Sequence, residues 1–85
     1  MTNIATIRTA AYQIAVDFEA TKSQAMSLAI LAINAAGFTA KEAFEAVIGE
    51  GRWDMLPADC TEEAVMAAVF ADIPLELQQA MAAAA

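Results

Sequence analysis

Between Ala25 and Ala36 the chain reads AMSLAILAINAA, in which only Ser27 and Asn34 are polar. They stand seven residues apart, two turns along one line of a helix, so almost every other direction around it is apolar. A helix greasy nearly all round belongs inside a bundle. The flanking segments can cover it, because each has an apolar side. Ile4, Ile7, Ala11, Ile14 and Phe18 recur at steps of three and four, with Arg8, Gln13, Asp17 and Glu19 off the stripe. This predicts a first helix over about residues 3–20. Thr21 and Gln24 then form a capping box that starts the central helix at Lys22.

A rival pattern runs through the same stretch. No Gly or Pro precedes Gly37, and the first stripe continues in phase through Thr21, Ala25, Leu28, Ala32 and Ala35. One helix of about 33 residues, roughly 50 Å long, would make a coiled-coil seam. It would leave Met26, Ile30, Leu31 and Ile33 off that seam, so a break before Lys22 is preferred.

Gly37 ends the central helix, and Thr39 with Glu42 opens a third through a second capping box. That helix sets Ala40, Ala43, Phe44, Val47 and Ile48 on one side and Lys41, Glu42 and Glu45 on the other. Gly49 or Gly51 stops it. The loop GEGRWDMLPA follows over 49–58. Asp59 and Glu62 frame the start of a fourth helix, apolar through Val65, Met66, Val69 and Phe70 and therefore expected as a second inner element. Asp72 and Pro74 open a short last helix carrying Leu77, Ala80 and Met81, which frays in the alanine tail 82–85. Nothing alternates long enough for a strand. The expected architecture is a single all-α domain over 1–85, a small bundle of four to five short helices.

Composition adjusts this picture in one respect. Of the 60% hydrophobic residues, 23 are alanine, so the large side chains available for a core are an ordinary supply. A domain of this length buries only about 60% of its unfolded surface, which makes it marginal alone and favours a homo-oligomer. The single cysteine, Cys60, excludes an internal disulfide and gives no sign of an oxidising compartment. The start of the chain lacks a signal-peptide pattern, and the longest apolar run, 64–71, is far below the roughly 20 residues of a membrane span. A cytoplasmic protein without membrane contact is expected.

Charge is unevenly placed. Of the net −7, the first 52 residues contribute −1, with Arg8, Lys22, Lys41 and Arg52 against five acids; from Trp53 onward six acids meet no Lys or Arg. So few cations argue against direct nucleic-acid binding. An acidic surface suits a basic protein partner, although solubility, which needs no partner, is the simpler account of it.

Candidate chemistry is mostly excluded. The chain has no histidine, and therefore no imidazole base, no His-activated nucleophile and no His metal ligand. No phosphate-cradling glycine loop is present. An enzyme is not expected, nor a cofactor, nor a metal. Cys60 falls in the first turn of the expected fourth helix, which would favour its thiolate, but Asp59, Glu62 and Glu63 oppose that charge. Glu42 and Glu45 share a face without a third ligand and read as solvated surface. Acids at predicted helix starts also stabilise the helix dipole by about 0.3–1 kcal/mol each, without any partner.

Two features remain. In Arg52-Trp53-Asp54-Met55-Leu56, residue types that dominate binding interfaces sit together on a short irregular segment. The alternative is that Trp53, Met55 and Leu56 fold inward and plug the bundle. The other feature is the corner at Gly37, which superficially resembles a helix-turn-helix. Its second helix, however, offers Lys41 among Glu42, Glu45 and Glu50 and lacks base-reading side chains. In size, acidity and lack of catalytic groups the chain resembles the small inhibitors and adaptors carried by phages, anti-CRISPR proteins among them, a likeness of type without a shared motif.

The leading expectation is a non-enzymatic module that occludes a basic surface of a partner protein through Arg52, Trp53, Asp54, Met55, Asp59, Glu62 and Glu63. The alternatives are a helix-turn-helix regulator and a purely structural dimerisation subunit.

Overall fold

The helix starts are set by side chains that take up free backbone N–H groups. In the computed structural model, which describes residues 3–84, Asn3 Oδ1 accepts from the Thr6 N–H at 2.8 Å and α1 runs over Ile4–Asp17. Both expected capping boxes are formed. Thr21 and Gln24 bond each other's backbone N–H at 3.0 and 3.1 Å and begin α2, Lys22–Ala35. Thr39 and Glu42 do the same at the head of α3, Ala40–Ile48. A single 3-10 turn, Trp53–Met55, precedes α4, Glu62–Ala71, and α5 covers Leu75–Ala84. Among the described residues there are five helices and no strand. Met1, Thr2 and Ala85, the end of the alanine tail, lie outside the described residues.

The break between α1 and α2 is real and uses no glycine. Glu19 takes a left-handed conformation, φ 54°. The Ala20 N–H bonds to the Ala15 carbonyl at 2.9 Å, and the Glu19 N–H to that of Val16 at 3.0 Å. This is the paired ending of a Schellman motif with glutamate where glycine is usual. Ala20 also packs against the core cluster that holds Ala15, in keeping with the apolar contact that accompanies such endings. A non-glycine residue here costs about 1–2 kcal/mol. Relieving that strain outweighs the added freedom of an unfolded glycine, so Glu19→Gly is expected to raise the melting temperature by about 3–6 °C. No gain by calorimetry would show that the turn is unstrained.

α2 is the axle of the bundle. Leu28, Ala29, Ile30 and Ile33 are at most 2% exposed. One half of the core joins Leu28 and Ala29 to Ala11 and Ala15 of α1 and to Ile73 and Leu77 at the start of α5. The other half joins Ile30 and Ile33 to Ala43 of α3 and Val65 and Val69 of α4. Ile4 and Ile7 pack with the second half, so α1 runs back along α2. α4 does too: Val65 lies by the C-terminal half of α2, whereas Asp72 accepts hydrogen bonds from Ser23 and Ser27 near its start. The two polar residues of the 25–36 stretch are thereby explained. Ser27 bonds Asp72, and the Asn34 amide donates to the Phe38 carbonyl at 3.1 Å across the Gly37 corner.

Four expectations are corrected. The fourth helix is not a second inner element: only Val65 and Val69 are buried, while Ala64, Ala67, Ala68 and Phe70 face solvent. Alanines gain little by burial, and the side that turns in is the one carrying Val65 and Val69, with Met66 packed beside them. Its N-cap is Thr61, whose Oγ1 accepts from the Ala64 N–H, so Asp59 does not frame the helix and Cys60 lies outside it. Asp72 closes α4 instead of opening α5. At the end of the first stripe Phe18 is 49% exposed, because α1 stops at Asp17 and the chain turns before that side chain can reach the core.

Candidate functional site

The loop between α3 and α4 is shaped by two glycines and one carboxylate. Gly49 and Gly51 both have positive φ, 144° and 79°, and the Glu45 carboxylate accepts from the Gly51 N–H at 2.9 Å. Glu42 is committed to the α3 capping box, where the Thr39 backbone N–H, and secondarily its hydroxyl, holds its carboxyl below the ordinary range. The Glu42–Glu45 pair is therefore occupied in local structure.

Trp53 folds inward. It is half-buried and meets Phe44 of α3 edge to face, ring centroids 5.5 Å apart and planes at 76°. Leu56 and Cys60 pack into the same half of the core. Met55 does the opposite: at 73% exposure it is the most exposed large apolar side chain among the described residues. Arg52 is exposed and its guanidinium lies 3.9 Å from the Met55 sulfur. The inward alternative holds for Trp53 and Leu56 and not for Met55, which stays outside with Arg52.

Asp54, Asp59, Glu62 and Glu63 are all exposed. Asp54 is 3.9 Å from Lys41, an open pair contributing at most about 1 kcal/mol. Glu62 and Glu63 occupy the first turn of α4, as the helix dipole favours. The expected residues are therefore all exposed on the loop and the start of α4, apart from the half-buried Trp53.

Sequence reasoning missed Arg8. Its guanidinium donates to the Ala46 carbonyl in the last turn of α3, bridging α1 and α3 and complementing that helix end. Nothing in the local spacing of Arg8 signals a partner 38 residues away.

Among the described residues no three of Cys, Asp and Glu gather as a metal-binding group, and no helix is long and apolar enough to cross a membrane. A shallow hollow on the outer face of α1 is lined by Asn3, Thr6, Thr9 and Gln13 and carries no ionisable side chain. Compared with protein-family models, curated proteins and solved structures, the chain gives no match.

Proposed function

We propose that the protein is a non-enzymatic binding module that covers a basic surface of a partner protein with the loop after α3 and the head of α4. One observation carries this reading: Asp54, Asp59, Glu62 and Glu63 are all exposed on a segment that has no Lys or Arg after Arg52. Such a surface speeds encounter with a cationic partner and disfavours anionic ones. Exposed Arg52 and Met55 at its edge supply a hydrogen-bond donor and an adaptable apolar contact. Trp53 acts from behind, holding the turn against Phe44.

Self-association belongs to the same proposal, supported by the small size of the domain and the solvent-facing alanines of α4. The helix-turn-helix alternative has less support, since Lys41 on the exposed side of α3 already stands beside Asp54.

The test is affinity capture from the native host, followed by mass spectrometry, with the wild type and Glu62→Lys/Glu63→Lys. The charge reversal is expected to abolish capture of the partner while the helical circular dichroism persists. Asp59→Lys, outside any helix, serves as a second variant free of helix-dipole effects and is expected to weaken capture. Capture unchanged by both would overturn the electrostatic reading. Light scattering on the same preparation tests self-association, which a single-chain mass would discard.

A further inference from the structure

Six large apolar side chains stand in solvent among the described residues. Ile48 and Met55 belong to the end of α3 and the loop after it; the other four are Val16 at 68%, Phe18 at 49%, Phe70 at 54% and Leu75 at 66% exposure. In sequence these four form two distant groups. In the fold they gather at one end of the bundle. Val16 and Phe18 end α1, a few residues before α2 starts at Lys22. Phe70 and Leu75 flank the α4–α5 corner, which is tied to that same start by the bonds from Ser23 and Ser27 to Asp72, at 2.9 and 3.1 Å. Ile73 and Leu77 pack against Ala11 and Ala15, which brings the head of α5 alongside the last turns of α1.

Single exposed apolar residues are ordinary, but four aliphatic and aromatic side chains at one end, two of them phenylalanines, mark a contact surface. The charges around them select its occupant. Asp17, Glu19, Asp72 and Glu76 belong to the same end, against Lys22 as its one cation. A second copy meeting it through this same end would bring the same excess of acids and be repelled. A segment with an apolar stripe flanked by Lys and Arg would satisfy both the apolar side chains and the carboxylates.

We propose that this end of the bundle, built on Val16, Phe18, Phe70 and Leu75, is a separate docking site for a basic amphipathic helix of a partner protein. It lies opposite the head of α4, since Val65 packs with Ile30 and Ile33 near the far end of α2. It therefore goes beyond the surface proposed above, and either can fail alone.

The experiment uses a fluorescein-labelled amphipathic peptide of leucine and lysine, titrated by anisotropy against the full chain at about 0.15 M salt, where screening acts over about 8 Å. Phe70→Ser/Leu75→Ser is expected to weaken binding about tenfold or more. Both positions face solvent, so its circular dichroism should match the wild type, and Val16→Ser/Phe18→Ser gives an independent second variant. Ala35→Lys, an exposed position at the far end of α2 outside either proposed surface, is expected to change affinity by no more than about threefold. Equal binding by wild type and both serine variants would overturn the proposal, and so would an equal loss from the far-end lysine. Light scattering that shows a dimer dissolved by Phe70→Ser/Leu75→Ser would assign the site to a second copy and overturn it as well.

Discussion

Leu28→Ala is expected to remove about 2–5 kcal/mol of unfolding free energy. Leu28 is fully enclosed and packs with the α1 and α5 residues Ala11, Ala15, Ile73 and Leu77. Two of these neighbours are alanines, whose short side chains cannot swing in to fill the space. A domain of this size has about 4–13 kcal/mol of stability in all, so the substitution takes a large share of it. Denaturant unfolding followed by circular dichroism should show the midpoint falling steeply. Leu75→Ala, the same change at a position 66% exposed, should move it by no more than about 0.5 kcal/mol. Similar effects at the two positions would mean that α2 is not the axle.

Asp72→Ala is expected to cost about 1–3 kcal/mol. The carboxylate accepts from Ser23 and from Ser27, and Ser27 is only 8% exposed. Without Asp72 the Ser27 hydroxyl keeps its shielded place but loses its acceptor. Ser27→Ala should cost less, because it removes the shielded polar group itself and leaves Asp72 its bond from Ser23. Combining the two changes in a double-mutant cycle should return a coupling energy above about 0.5 kcal/mol. Additive losses would show that the bond contributes nothing to holding the α4–α5 corner on α2.

The capping boxes at Thr21 and Thr39, the glycine corner at 37 and the burial of the central helix were legible because each depends on residues within a turn or two of one another. Side chains at Thr39 and Glu42 meet whatever the rest of the chain does. The orientation of α4 was not legible, since valine and alanine are both apolar and only packing against Ile30 and Ile33 separates them. Glu19 carried no warning either. Its left-handed turn is held by bonds to Ala15 and Val16 and by the docking of Ala20, none of which glutamate itself announces. In the loop after α3 the residue types pointed to both a plug and a contact. Which side chain took which part depended on Phe44 being placed to receive Trp53. Arg8 and Asp72 find partners 38 to 49 residues away, beyond any local pattern.

The two ends of the chain meet where Ile73 and Leu77 settle onto Ala11 and Ala15. Among the described residues of α5 only Leu77 is buried, with Ile73 just ahead of the helix and Met81 half-buried, while Gln79, Ala82 and Ala83 look outward. The last helix therefore works as a latch, able to lift while α1 and α2 stay paired. Amide hydrogens of α5 should exchange with deuterium well before those of α2, and whatever grips Leu75 will slow them.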